Sequence, residues 1–233
     1  MKIGIIGAMD IEIELLKKDL ELKSTLNKAS MEFYEGNLTG KEVVLVRSGI
    51  GKVNAAVCTQ ILIDDFDVNE VIFTGVAGAV DPTLDVGDIV ISNEVAQHDV
   101  DVTGFGREYG EVPGLDRVFF EAEQRLVDLA KEAGEKVTAA EEIKVVTGRI
   151  LSGDQFIADR EKVAWLGETF AGHCTEMEGA AVGQVCFLNA KPFVIIRSMS
   201  DKADGEANIS FDEFAKIAAD NSYQIVVEML KNM

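Results

Sequence analysis

The sequence contains few of the residues that disulfide scaffolds, metal sites and disordered linkers require. Its 233 residues include only three cysteines, three prolines and two histidines. The cysteines form no CxxC pair and no Cys/His cluster, which favours reduced, buried thiols. They are Cys58, Cys174 and Cys186. Segment 98–101 (HDVD) is similar to part of a metal-binding motif, but the further ligands that zinc needs are absent. We therefore expect neither a metal ion nor a cofactor.

Positive charge is also scarce, and long apolar runs are missing. Lysine and arginine total 22 against 41 aspartates and glutamates, a formal net charge of −19. Such a charge repels phosphate backbones and anionic lipids, so we expect no nucleic-acid and no membrane partner. No apolar run approaches the ~18 residues of a membrane span. The opening MKIGIIGAMD indicates a first strand rather than a signal peptide. These features predict a cytoplasmic protein, and they do not exclude a neutral or zwitterionic small ligand.

The order of apolar segments predicts one α/β domain over residues 1–233. Short apolar runs, expected as strands, are Lys2–Gly7, Val43–Arg47, Val71–Thr74, Asp88–Ser92, Lys144–Leu151 and Phe193–Met199. Longer segments with helical periodicity are Met9–Leu20, Lys52–Asp65, Phe120–Ala133, Gly179–Leu188 and Ser210–Leu230. Strands that alternate with helices favour a mainly parallel sheet.

Polar residues and glycines follow several of the predicted strands. They are the segments 75–78 (GVAG), 152–154 (SGD), 176–178 (EME) and 200–201 (SD). In α/β sheets, ligands bind beyond the carboxyl ends of the strands. Four such clusters at one edge of the sheet predict a pocket there. The glycine-rich segments 49–52 and 75–78 match neither a P-loop nor a dinucleotide fingerprint, so we expect tight turns at both.

Glu12 lies at the edge of the apolar stripe of the first predicted helix. A carboxylate beside an apolar face can be desolvated and act as a base. It can equally be a first-turn acid that favours the helix dipole. The periodicity alone leaves both interpretations open.

Three further acids and one arginine stand out at the predicted strand ends. Arg197 interrupts an apolar run, and a buried guanidinium needs an acidic partner. Asp201 follows the same strand and is either a ligand contact or a turn residue. Glu176 and Glu178 precede a helix, so they either bind sugar hydroxyls or favour the helix N-terminus.

Eight collinear motifs resemble the nucleosidases of the purine nucleoside phosphorylase superfamily. They are MKIGIIGAM with the following Glu12, SGIGKVNAA, FTGVAGAV, HDVDVTGFG, SGDQFI, TEMEGAA, IRSMSD and ISFDEF. The resemblance implies a three-layer αβα sandwich with a central mixed, mainly parallel sheet, and a homodimer. It also implies hydrolysis of the N-glycosidic bond of 5′-methylthioadenosine and S-adenosylhomocysteine, with 5′-deoxyadenosine and aminofutalosine as further possible substrates.

The resemblance also assigns catalytic roles to residues of this chain. Asp201, held by Ser200, would donate a proton to N7 of adenine. Glu12, aided by Arg197, would orient and deprotonate the attacking water. Protonation makes adenine a neutral leaving group, and such acid catalysis contributes typically ~10²–10⁴-fold.

The remaining residues implied by the resemblance would bind the nucleoside. Glu178 and Met177 would hold the ribose hydroxyls, while adenine would stack on Phe156. Phe105 and Pro113 would reach across the dimer to the partner's 5′-alkylthio site. The other residues assigned to the pocket are Met9, Ile50, Val76, Ala77, Gly78, Ile157, Glu176 and Phe211.

One position departs from the family pattern, and two other functions compete with hydrolysis. Val76 stands where the family often has a serine whose hydroxyl helps to hold the attacking water. A nucleoside phosphorylase would need a phosphate site, and Glu12 would repel phosphate there. A nucleoside-binding protein without catalysis is the third alternative.

Overall fold

The computed structural model describes residues 1–203 and 207–233, and it describes side chains outside the range 204–213. The strands of this described part are β1 Lys2–Gly7, β2 Glu21–Lys28, β3 Met31–Leu38, β4 Lys41–Arg47, β5 Glu70–Ala79, β6 Ile89–Gln97, β7 Phe119–Glu121, β8 Val145–Ser152, β9 Cys174–Glu176 and β10 Phe193–Asp201. The helices are α1 Asp10–Asp19, α2 Lys52–Phe66, α3 Gln124–Val137, α4 Arg160–Phe170, α5 Gly179–Leu188 and α6 Ala207–Asn232. A short 3-10 helix spans Thr103–Phe105.

The sheet is partly closed. Strand β10 pairs with both β5 and β6, and β8 and β9 connect β6 back to β5, so five strands form a ring. Strands β1, β4, β3 and β2 extend from β5 as an open wing, and β7 pairs with the end of β6. Parallel pairs join β1, β4, β5 and β10, while β10 and β6 are antiparallel. The mixed sheet therefore has a parallel centre, around which antiparallel strands are added.

Helices cover both faces of the sheet. Helices α1, α3 and α6 bury their apolar residues against one face, and α2 and α5 bury theirs against the other. In α3 the buried residues Leu126, Val127, Ala130 and Ala133 recur at the three- and four-residue spacing of one helix face. The expected α/β fold with three layers is confirmed. No helix of the described residues is long and apolar enough to cross a membrane.

Four strands and one helix of the described residues were not predicted, namely β2, β3, β7, β9 and α4, and one predicted turn is wrong. All eight residues of β2 are exposed, so the strand has no buried face to mark it in the sequence. Helix α4 buries only Leu166 and Phe170, which is too little for a clear apolar stripe. Segment 75–78, expected as a tight turn, continues β5 and pairs with β10 and β9. The predicted helix start at Phe120 is also wrong, because Phe120 lies in β7.

Candidate active site

A cavity of about 430 Å³ opens where β1, β5, β9 and β10 end. Its wall is formed by residues from six separate segments of the chain. They are Ala8, Met9, Glu12, Ile50, Val76, Ala77, Gly78, Gln155, Phe156, Ile157, Thr175, Glu176, Met177, Glu178, Ser200 and Asp201. Three of the four polar clusters, 75–78, 176–178 and 200–201, thus contribute to one cavity wall, and residues 155–157, which follow the fourth cluster, line it as well.

Glu12 lies in the first turn of α1, and its carboxylate folds back over the end of β1. Its Oε2 accepts hydrogen bonds from the backbone N–H groups of Ala8 at 2.6 Å and Met9 at 2.9 Å. Its Oε1 accepts a third from Val76 at 3.1 Å, across the strand. Burial raises the pKa of Glu12 above its usual value, although the charge of Arg197 and the three N–H groups oppose that shift. Glu12 is therefore both a first-turn acid and a desolvated carboxylate.

Gly75 makes this position of Glu12 possible. A Cβ atom at residue 75 would lie 2.3 Å from Oε1 of Glu12 and 3.0 Å from Nη1 of Arg197. No side chain fits at these distances, so the carboxylate and the guanidinium can meet over β5 only because residue 75 is glycine.

Arg197 has the acidic partner that its place in an apolar strand requires. Its guanidinium binds Oε2 of Glu176 through Nη2 and, at 3.2 Å, through Nε, and it stacks 4.0 Å from the centre of the Phe73 ring. Burial by itself lowers the pKa of Arg197. The nearby carboxylates of Glu176, Glu12 and Glu178 outweigh that effect and raise the pKa above its usual value. The guanidinium stays charged inside the protein.

Glu176 is fully engaged by the protein. Besides Arg197, its oxygens accept hydrogen bonds from Oγ of Ser152 and from the backbone N–H of Gly179, the latter at 2.8 and 2.9 Å. Although Glu176 borders the cavity, its carboxylate joins β8, β10 and the start of α5. These contacts indicate that Glu176 holds together the strands and the helix that form the site.

Glu178 occupies the position before α5 and faces the cavity. Its Oε1 accepts a hydrogen bond of 2.8 Å from the backbone N–H of Gly51. Burial, with repulsion from Glu176, raises the pKa of Glu178 to about 8. Its second oxygen, Oε2, accepts no hydrogen bond from the described residues and is available to a ligand.

Asp201 is the last residue of β10 and is 2% exposed. Its Oδ2 accepts a hydrogen bond from Oγ of Ser200 at 2.8 Å, and its Oδ1 accepts one from the backbone N–H of Ala203 at 2.7 Å. A Cβ atom at Gly78 would lie 2.7 Å from Oδ1, so this glycine gives the carboxylate its space. Asp201 thus closes a local turn and also lines the cavity.

The aromatic residues expected around the ligand differ in whether they line the cavity of this chain. Phe156 is 49% exposed at the cavity, and Ile157 beside it is buried. Phe105 and Pro113 are exposed in the segment between β6 and β7 and do not line the cavity of this chain. The side chain of Phe211 lies outside the described residues.

The sequence model of the Phosphorylase superfamily matches residues 2–231. The chain belongs to the phosphorylase superfamily. A 5′-methylthioadenosine/S-adenosylhomocysteine nucleosidase of Bacillus pumilus is 48% identical over 232 residues, 99% of this chain and 99% of that protein.

Two solved structures of the superfamily are also similar along the whole chain. The nucleosidase of the same name from Neisseria meningitidis, in complex with methylthio-immucillin-A, has a TM-score of 0.94 and 45% identity and covers 100% of this chain and 99% of its own. The nucleosidase from Colwellia psychrerythraea, in complex with adenine, has a TM-score of 0.93 and 46% identity and covers 99% and 94%.

This member of the phosphorylase superfamily has four residues at or beside the cavity that sequence reasoning missed. Ala8, Gln155 and Thr175 line it, and Ser152 supports Glu176. Three of the four belong to the motifs SGDQFI and TEMEGAA. Their place in these motifs is the signal that could have identified them. The hydroxyl of Thr175 is buried without a hydrogen-bond partner among the described residues.

Proposed function

We propose that the protein hydrolyses the N-glycosidic bond of 5′-methylthioadenosine and S-adenosylhomocysteine. Adenine leaves, water adds to the sugar, and the 5-thioribose product is released for methionine salvage in the cytoplasm. The names of the relatives support this substrate class. 5′-Deoxyadenosine has the same base and sugar and is expected to react as well. The observation that carries the proposal is the presence of Glu12 and Asp201 at one cavity with different hydrogen-bond partners.

Asp201 is the proposed general acid. The N-glycosidic bond breaks through a cation-like sugar, and negative charge moves onto the purine. A proton placed on N7 makes adenine a neutral leaving group. Ser200 and the backbone of Ala203 orient the carboxyl group of Asp201, and its burial keeps bulk water from competing for the proton.

Glu12 is the proposed base for the attacking water. Three backbone N–H groups fix its carboxylate, so it does not have to reorganise when the reaction begins. Arg197 stabilises the ionised form of Glu12 through its charge. Val76 supplies only its backbone N–H to this arrangement, and its side chain cannot bind the water as a serine would.

The nucleoside itself is bound by the remaining wall. Glu178 and Met177 hold the ribose, and the free oxygen of Glu178 accepts hydrogen bonds from the hydroxyl groups. Phe156 stacks on adenine, while the backbone of Ile157 reads its edge. Met9, Ile50, Ala77 and Gly78 complete the pocket, and the family resemblance assigns Phe211 to it as well.

The charge of the cavity favours water over phosphate as the nucleophile. Four carboxyl side chains, those of Glu12, Glu176, Glu178 and Asp201, line it, and no lysine or arginine is among the described lining residues. The nearby cation, Arg197, is already paired with Glu176. A phosphate dianion requires cationic donors that this cavity does not offer.

A homodimer completes the proposed site. Phe105 is 88% exposed in this chain, so its ring is accessible to a partner subunit. In the dimer, Phe105 and Pro113 cover the 5′-alkylthio group in the partner's cavity. Val53 and Val57 of α2 are further apolar residues that are exposed in this chain.

Two variants test the catalytic assignment. Asp201→Asn cannot protonate N7, and Glu12→Gln cannot deprotonate water, so each is expected to lower kcat ~10²–10⁴-fold. Both amides keep the shape of the carboxylate, so adenine binding should remain within a few-fold of the unaltered protein. Adenine release by absorbance and adenine affinity by calorimetry are the measurements. Near-normal kcat in either variant contradicts the role of that residue.

A further inference from the structure

Two carboxylates from distant parts of the chain bind the N-terminus of α2. The backbone N–H of Gly51 donates to Oε1 of Glu178, and the backbone N–H of Lys52 donates to Oδ1 of Asp154, both at 2.8 Å. These amides have no partner within the helix, and the helix dipole favours negative charge beside them. Gly51 has a φ of 100°, which a side chain would strain, so the chain turns into α2 only with glycine here.

The second of these carboxylates belongs to a closed ring of three residues. The backbone N–H of Asp154 donates to Oδ2 of Asp99 at 3.0 Å, and Nζ of Lys52 donates to Oδ1 of Asp99 at 2.5 Å. Asp154 then accepts from the backbone of Lys52, which closes the ring. The side chains of Lys52 and Asp99 are only 16% and 17% exposed, so solvent screens their ion pair incompletely. We call Lys52, Asp99 and Asp154 the anchoring ring.

The anchoring ring connects two walls of the cavity. Asp154 begins the loop that carries Gln155, Phe156 and Ile157, and this loop contains no regular hydrogen-bonded structure of its own. On the other side, Ile50 lines the cavity and lies next to Gly51, which binds Glu178. The loop for the base and the carboxylate for the ribose are therefore attached to the same end of α2.

We propose that Asp154, held by Asp99 and Lys52, is a positioning residue that presets the adenine-binding loop against the ribose-binding Glu178. The proposal rests on the proposed function and assigns a role to the aspartate of the SGDQFI motif. An anchored loop binds its ligand without first losing the freedom of an unattached segment, so the anchor contributes to affinity. Asp154 does not line the cavity and takes no part in bond cleavage.

Asp154→Ala is the first test. It removes the acceptor for Lys52, and we expect KM for 5′-methylthioadenosine to rise about tenfold while kcat stays within about threefold, the pattern of lost ground-state and transition-state binding. Asp154→Asn keeps a carbonyl oxygen at Oδ1 and should restore KM to within about threefold. A tenfold fall of kcat in Asp154→Ala without a change in KM would overturn the proposal.

Asp159→Ala is the matched control. Asp159 is an exposed aspartate of the same loop, and it accepts a 2.8 Å hydrogen bond from the backbone N–H of Lys162 at the start of α4. The control thus removes the same kind of helix-capping contact without touching the anchoring ring. We expect its KM to stay within about twofold. A tenfold rise in KM for Asp159→Ala as well would show a general effect of loop stability and would overturn the role of Asp154.

A double variant tests the ring as a unit. Asp99→Ala breaks the same ring at another bond, so Asp99→Ala/Asp154→Ala should raise KM no more than the larger single effect. If KM of the double variant rises by the product of the two single-variant factors, the two residues act independently. That result would overturn the proposal that the ring acts as a unit.

Adenine affinity, measured by calorimetry on the unaltered protein and on Asp154→Ala, separates this proposal from the proposed function. A tenfold loss of affinity in Asp154→Ala supports the positioning role, and equal affinities overturn it. Failure of the unaltered protein to release adenine from the nucleoside would overturn the proposed function, whichever result the binding measurement gives.

Discussion

Arg197 and Glu176 form an ion pair whose side chains are only 1% and 4% exposed, and it links β10 to β9, two strands that each pair with β5. The pair joins two strands of the closed ring and stands beside Glu12, whose ionised form Arg197 favours. Burial of two charges is costly, and the hydrogen bonds from Ser152 and Gly179 to Glu176 offset part of that cost. The pair therefore serves the stability of the fold and the electrostatics of the cavity at once.

Glu176→Gln should destabilise the protein strongly. The variant leaves the Arg197 guanidinium buried without its partner, and the loss of one member of a buried pair costs about 3–5 kcal/mol. Urea unfolding measures this free energy. Glu14→Gln, which breaks the exposed pair of Glu14 with Lys18, is the control and should leave the unfolding midpoint unchanged. A Glu176→Gln protein as stable as the control would contradict this account of the pair.

Gly75→Ala should reduce catalysis without abolishing folding. The added Cβ would lie 2.3 Å from Oε1 of Glu12, so the carboxylate must move, and a displacement of about 1 Å can cost ~10²-fold in rate. We expect kcat to fall by about that factor while adenine still binds. Gly167→Ala in α4, where the nearest atom to the new Cβ is 3.8 Å away, should keep full activity. Unchanged kcat in Gly75→Ala would mean that Glu12 does not need its observed position.

Glu178→Gln should change how stability depends on pH. Burial raises the pKa of Glu178 from an ordinary 4.5 to about 8, so the folded protein retains a proton that the unfolded chain releases. The contribution of this group to the free energy of unfolding is fully present below pH 4.5. It is lost as the pH rises through 8, and the free energy of unfolding falls by up to about 1.4 kcal/mol per pH unit. Glutamine can still accept the Gly51 hydrogen bond but does not titrate. Urea unfolding from pH 5 to pH 8 should therefore show a flatter profile for the variant, and parallel profiles would refute the raised pKa.

The sequence predicted the α/β fold and the parts of the site whose signals are local. An arginine within an apolar strand required an acidic partner, and three of the four clusters after the predicted strands line one cavity. The identity of the partner, Glu176, could not be predicted because β9 and β10 are brought near each other only by their separate pairing with β5. The family resemblance assigns Glu176 to substrate binding, and the contacts that occupy its carboxylate are visible only in three dimensions.

Other features could not be predicted because they leave no periodic pattern in the sequence. Strand β2 has no buried face, and its backbone pairing with β3 places it in the sheet. Segment 75–78 looked like a turn because glycines are common in turns, yet its glycines give space to Glu12 and Asp201 within a strand. The anchoring ring joins residues far apart in sequence, and spacing gives no signal for such contacts.

The most direct test of the central claim is adenine release from 5′-methylthioadenosine, measured in phosphate-free buffer and again with millimolar phosphate, with identification of the sugar product. A hydrolase whose cavity carries four carboxyl side chains should release adenine at the same rate in both buffers and yield free 5-methylthioribose. Release that appears only with phosphate, together with a sugar 1-phosphate, would contradict the account and identify the protein as a phosphorylase.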